Sequence, residues 1–206
     1  GNKHYFKGDF SGALSEYLVA DKKVQASDRE YAIAMLNIAS AYRRVGDLEK
    51  SVVYLDRASE KIWGPKSGWQ SMNLGFGNGL LTNESKQEWI GTENERFWVR
   101  FYSALGNLEI GRLDDAIIDL KMCEKLSENY PLQRYLHGVA SAMIPEEREN
   151  AAIHFKAVRE AGSGEPFKGQ GSGAPFAAIQ MARLSYLSGN HDEALQLFRS
   201  AGPSLE

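Results

Sequence analysis

The chain repeats itself, and that repeat constrains the fold more than any other feature. From Tyr31 to Ala58 it reads YAIAMLNIASAYRRVGDLEKSVVYLDRA, with small, aromatic or apolar residues at Ile38, Ala39, Tyr42, Gly46, Leu48, Ser51, Leu55 and Ala58. Between Ala178 and Ala201 the same order returns in Ala182, Gly189, Ala194, Phe198 and Ala201. Gly8, Phe10, Ala13, Tyr17 and Ala20 match the second half of a first copy, and Ala104, Gly111, Leu113, Ala116, Leu120 and Cys123 match a third. A fourth, around Gly138, Ala151, Phe155 and Val158, has a Met143-Ile144-Pro145-Glu146 turn where the others have glycine. Apolar residues three and four apart predict amphipathic helices. A unit of this size predicts a pair of antiparallel helices that buries its apolar face only by stacking on its neighbours.

These positions resemble the tetratricopeptide-repeat (TPR) family, and the resemblance implies an all-α solenoid of helical hairpins wound as a right-handed superhelix. The residue types have physical reasons. Small residues at the helix crossings let backbones approach where larger side chains would overpack. The glycine before Asp47, Arg112 and Asn190 ends the first helix in the left-handed conformation, which costs a residue without Cβ little. The acidic or amide residue that follows starts the second helix. We expect one domain with repeats at about 1–24, 28–61, 95–127, 130–161 and 174–203.

The second-helix positions Ala13, Ser51, Ala116, Ala151 and Ala194 are 38, 65, 35 and 43 residues apart, against an ideal of about 34. The first excess is about one helical turn and predicts a longer second helix around Asp21 to Ser27. The largest is an insertion at 62–94 between repeats 2 and 3, rich in glycine and carrying Trp63, Trp69 and Trp89. A loop of that length inside a compact domain is either functional or disordered, and so many large aromatics point to a packed one. Two roles fit it: presenting Trp69, Phe76 and Asn78 to a ligand, or holding the loop down on exposed helix surface. A second, glycine-rich loop at 161–175 has two prolines that forbid regular helix.

Several chemistries lack the residues they need. Neither Gly75-Phe76-Gly77-Asn78-Gly79 nor Gly169-Gln170-Gly171-Ser172-Gly173 follows a strand or carries the Lys-Ser/Thr of a phosphate-binding loop, so no nucleotide site is expected. His4, His137, His154 and His191 are scattered along the chain without an i, i+4 pair or a cysteine at ligand spacing, so no metal and no cofactor is expected. Cys123 stands alone in a helical pattern and reads as a buried thiol. No nucleophile, base and orienting group can be assembled, and no catalytic residue is expected. A net charge of −3 argues against a nucleic-acid partner, and no stretch approaches the length of a transmembrane helix. The chain opens Gly1-Asn2-Lys3-His4-Tyr5, a start expected to fall inside a repeat, without an apolar signal region.

What remains is recognition. Asn37, Arg43 and Arg44, then Trp98, Phe101 and Tyr102, then Arg183 and Tyr186 fall on the first helices of successive repeats. With Trp69, Phe76, Asn78 and Trp89 of the insertion, they form an aromatic and arginine mixture suited to a protein or peptide partner. TPR proteins that clamp C-terminal carboxylates use lysine and asparagine where this chain has Leu36 and Ser40, so a chaperone-tail clamp is not expected. The alternative is a small-ligand or glycan-binding module using the Trp63–Trp89 insertion.

Glu88-Trp89-Ile90-Gly91, Glu95-Arg96-Phe97, Tyr102-Ser103-Ala104-Leu105, Leu108, Gly111 and Asp115-Ala116 also resemble a family of bacterial TPR-containing envelope lipoproteins, over roughly residues 28 to 126. Trp89 replaces a common tyrosine, and Asp119 lies near a usual glutamate. The resemblance implies a place on the periplasmic side of the cell envelope, with a lipid anchor upstream of residue 1; the cytoplasm is the alternative. It implies no activity.

Overall fold

The computed structural model describes residues 1–25, 30–63, 91–127, 130–161 and 174–201, and among these every regular element is a helix. They group into two compact units, Gly1–Ile110 and Gly111–Glu206. In the first, α1 (Asn2–Phe6), α2 (Phe10–Asp21), α3 (Tyr31–Val45), α4 (Leu48–Trp63) and α5 (Glu93–Glu109) each pack on the next. In the second, α6 (Leu113–Leu126), α7 (Pro131–Ala142), α8 (Arg148–Ala161), α9 (Ala174–Leu187) and α10 (His191–Ala201) do the same, with a 3₁₀ turn at Pro145–Glu147 between α7 and α8.

The apolar spacing becomes buried faces. Met35, Ile38, Ala39 and Tyr42 of α3 and Ser51, Val52, Leu55, Ala58 and Ser59 of α4 are all buried, one stripe per helix at i, i+3, i+4, i+7 spacing. At Ser51 a hydroxyl stands where the repeat favours alanine, and it donates to the Ala39 carbonyl at 2.8 Å, so the buried polar group is satisfied across the hairpin. In the second unit Ala151, Phe155, Val158, Ala177 and Leu184 form the corresponding core.

The turns follow from backbone geometry. Gly46 has φ 88°, the Asp47 amide donates to the Tyr42 carbonyl at 3.0 Å, and the Asp47 carboxylate accepts from the Lys50 amide at 3.1 Å. The left-handed glycine thus closes one helix, and the aspartate caps the next. The six-to-one amide bond recurs from Asn190 to Ser185 and from Asp9 to His4, each beside a glycine of positive φ. Arg112 starts α6 without a side-chain cap. Between α7 and α8, the turn at Pro145 does the work of the missing glycine.

One expected element is different. The second helix of the first repeat is not lengthened; α2 stops at Asp21, and the chain turns at Lys22 and Lys23. Asp21 accepts from the Tyr54 hydroxyl at 2.8 Å and pairs with Arg57 at 3.2 Å, while Val24 folds back onto the Met35, Ile38, Tyr42 and Ala58 core. Continuing the helix would take Val24 off that core. Burial, with the Asp21 carboxylate beside it, pushes the Tyr54 hydroxyl up to about 12.

The start of the long insertion also differs. Trp63 is the last residue of α4, 6% exposed, and the buried Arg100 guanidinium of α5 lies 4.0 Å from its ring centre. The indole therefore packs α4 against α5 through a cation–π contact. Trp69, Phe76, Asn78 and Trp89 lie outside the described residues, as does most of the glycine-rich 161–175 loop.

Candidate functional site

Within the Gly1–Ile110 unit, four helices enclose a groove of about 700 Å³. From α3, Leu36, Ala39, Ser40, Arg43 and Arg44 enter it, since residues three and four apart share one face beside the core stripe. Ser51 and Leu55 come from α4, and Glu95, Trp98, Val99 and Tyr102 from α5. Tyr5 of α1 closes one end, its hydroxyl bonded to that of Ser40. Apolar walls with a few fixed polar groups are the usual make-up of a ligand cleft.

The charges in the groove are not equivalent. Arg43 pairs with Glu109 at 2.7 Å. Glu95 is engaged in a capping box: its carboxylate accepts from the Thr92 amide at 2.8 Å, and its own amide donates to the Thr92 hydroxyl at 3.2 Å. The Thr92 amide first, and then the Thr92 hydroxyl, which donates to the same carboxylate oxygen at 2.9 Å, hold the Glu95 carboxyl below its ordinary value. Arg44 is exposed, with its guanidinium 5.5 Å from the centre of the Phe10 ring. Among the described residues, a capped acid, a paired arginine and an arginine set against an aromatic face leave Arg44 as the charge most open to a ligand.

The residues expected from the sequence divide. Arg43, Arg44, Trp98 and Tyr102 meet in this groove, with Trp98 and Tyr102 ring centres 6.1 Å apart and Tyr102 47% exposed. Phe101 is not among the lining residues: it is 5% exposed and stacks on Phe97 at 5.9 Å. Asn37 lines a smaller cavity of about 470 Å³ beside Gly1, Asn2, Lys3 and Tyr17. In the other unit Arg183 is exposed, and Tyr186, 59% exposed, meets the His191 ring edge-on at 4.9 Å.

Leu36 and Ser40, which argued against a carboxylate clamp, are groove residues in their own right. Their helical register with Arg43 was the signal. Tyr5 had none, because a five-residue helix carries no periodicity.

A polar cluster lies in the Gly111–Glu206 unit. Glu124 of α6, His137 of α7 and His154 of α8 bring one donor atom each to within 4.8 Å of one another. His137 Nδ1 is 3.0 Å from Glu124 Oε1, His154 Nδ1 is 3.6 Å from the same oxygen, and the two rings stack at 3.8 Å. The Gln133 side-chain amide donates to that oxygen at 3.3 Å and to the Leu120 carbonyl at 3.0 Å. Burial pushes the Glu124 carboxyl up, but the bonds from His137 and Gln133 outweigh it and hold the group below its ordinary range. Burial first, and then the neighbouring His137, lower His154 to about 4. Two histidines that read as scattered along the chain are therefore stacked in space.

The helix-hairpin arrangement recurs in solved structures. A crystal structure of MamA matches over 97% of this chain and 90% of its own, at 18% identity and a TM-score of 0.62. The chain has the TPR fold. A second MamA crystal structure agrees, with 18% identity, 97% and 85% coverage and a TM-score of 0.63. YrrB, described as a TPR protein with an unusual peptide-binding site, aligns over 92% of both chains at 16% identity, with a TM-score of 0.44 too low to carry an argument. Identities this low establish fold and nothing further. No protein-family model and no curated protein matches the sequence.

Proposed function

We propose that the TPR unit Gly1–Ile110 is a non-enzymatic binding module for a protein or peptide, with the α1–α3–α4–α5 groove as its recognition surface. The groove itself carries this reading: about 700 Å³ of cleft with Leu36, Leu55, Val99, Trp98 and Tyr102 as apolar wall. Its size and aromatic content suit a short extended segment anchored by one bulky side chain. Arg44 sets the polarity. An acidic side chain beside the anchor would meet a guanidinium that, among the described residues, is held by Phe10 alone.

The test is selection from a random displayed peptide library on immobilised full-length protein. The wild type is expected to enrich peptides with an aromatic or large aliphatic residue next to Asp or Glu. Trp98→Ala is expected to abolish enrichment, and Arg44→Glu to remove the acidic preference while keeping the apolar one. Identical enrichment by wild type and Trp98→Ala would overturn the reading.

The cell-envelope setting, the bacterial source and the lipid anchor belong to the same proposal and are supported by the sequence resemblance around Glu95-Arg96-Phe97 and Tyr102-Ser103-Ala104-Leu105. Fractionation of cells expressing the full-length protein separates envelope from cytoplasm directly. Arg183 and Tyr186 stay in the proposal as an exposed pair on α9.

A further inference from the structure

We propose that Glu124, His137 and His154 form a binding site for a borderline transition-metal dication of the zinc class, pinning α6, α7 and α8 together. A tetrahedral zinc site with bonds of about 2.1 Å has donor atoms about 3.4 Å apart. The distances from Glu124 Oε1 to the two histidine Nδ1 atoms, 3.0 and 3.6 Å, bracket that edge. Two imidazoles and one carboxylate are the three-ligand set of zinc sites that keep a fourth position for water. They suit zinc and its neighbours rather than magnesium or calcium, which take oxygen.

The surroundings support the assignment. The Glu124 carboxylate is met by the Gln133 amide and the two imidazoles. A dication would satisfy its charge in a half-buried site. Gln133, itself fully buried, holds the carboxylate from the side, as outer-sphere partners of metal ligands do. His137 is buried and fixed in place, while His154 is partly exposed and gives the ion an entry path. The rings are inclined by 29° in their stack. Both nitrogens reach one ion when His154 swings outward about its side-chain torsions, which its exposure permits. Lys121 on α6 and Arg134 on α7 are the cations that act on His154. They oppose the charge of a dication, which the three ligands must outweigh.

The experiment is zinc titration of tag-free full-length protein, followed by calorimetry, with cobalt(II) as a spectroscopic probe. The expected result is one ion per chain with a tetrahedral cobalt absorption in the visible. His154→Ala and Glu124→Gln should each weaken zinc binding by about 100-fold, at or above the effect of losing an outer-sphere partner. Far-UV circular dichroism should be unchanged for His154→Ala, a partly exposed helical position where alanine favours the helix. His191→Ala and His4→Ala should bind as the wild type does. Absence of zinc binding by the wild type would overturn the proposal, as would retention within about threefold in both site variants, a difference under 1 kcal/mol. Equal loss in His191→Ala would also overturn it, because the ion would then not be local to this cluster.

Discussion

The α3–α4 and α7–α8 hairpins are built to the same pattern, yet their crossings differ. In the first, Ala39 and Leu55 are themselves buried, yet both border a groove. In the second, the corresponding residues are Gly138 and Phe155, and Phe155 is fully buried. A β-carbon placed on Gly138 would stand 2.6 Å from the Phe155 ring. The second pair lacks the alanine methyl and has an aromatic ring in place of the leucine side chain, and that ring fills the space over the glycine. Within one repeat architecture, then, the pair of side chains at the crossing sets how completely a hairpin fills its own interior. The α7–α8 pair also carries two stacked histidines, whereas α3 and α4 carry none.

The strongest way to break this comparison is Phe155→Ala. Removing a ring with no exposed surface, above a glycine that cannot refill the space, should cost about 3–5 kcal/mol, read as a lowered urea midpoint. A loss under 1 kcal/mol would mean that the ring is not the core of its hairpin.

Next is the pH dependence of the histidine pair, measured with chelator present. His154 has an ordinary value of 6.5 and a folded value lowered to about 4. The unfolded chain therefore takes up the proton first, and stability is complete above about pH 6.5 and falls as the pH drops towards 4. With about 1.4 kcal/mol per pK unit as a ceiling, and relaxation and partial exposure reducing it, a loss of about 1–2 kcal/mol is expected across that window. The groups facing His154 are Glu124 and Lys121 from α6 and His137 and Arg134 from α7. His154→Gln should flatten this part of the profile. An unchanged slope would place the titration elsewhere.

Gly138→Ala sharpens the contrast itself. Overpacking against Phe155 costs about 1–3 kcal/mol, and the gain in helix propensity returns about 1 kcal/mol, so a net loss of up to about 2 kcal/mol should appear in thermal melts. The double variant Gly138→Ala with Phe155→Leu, which imports the Ala39–Leu55 pair, should show a coupling that offsets part of the two single losses. The smallest effect belongs to Ser51→Ala. The hydroxyl's bond to Ala39 is lost together with its burial cost, and the change should stay within about 0.5 kcal/mol.

The helices, their buried faces and their turns could be read residue by residue. Ala39, Ala104, Ala116, Ala151, Ala182 and Ala194 are all buried, and Gly46, Gly111 and Gly189 all have positive φ. These are local matters of period and backbone freedom. The groove was legible in part. Arg43, Arg44, Trp98 and Tyr102 were named because exposed aromatics and arginines on first helices suit recognition. Phe101 was named for the same reason and is buried, because one helical step of about 100° separates a groove side chain from a core one. Trp63 reads as the start of a loop because a glycine and a proline follow it at once, although its indole continues the α4 stripe.

What the sequence determined alone is the hairpin: two amphipathic helices, a left-handed glycine or a proline turn, and small residues where the helices cross. Each depends on neighbours within a few tens of residues, so spacing reveals it. Only the tertiary structure decided which spaces between helices stay open and which polar groups meet. Glu124, His137 and His154 are 13 and 17 residues apart in turn, on three different helices. Their convergence on one carboxylate oxygen depends on how those helices are rotated against each other. Rotation is set by side-chain fit over the whole contact, such as Phe155 against Gly138, and no local period encodes it.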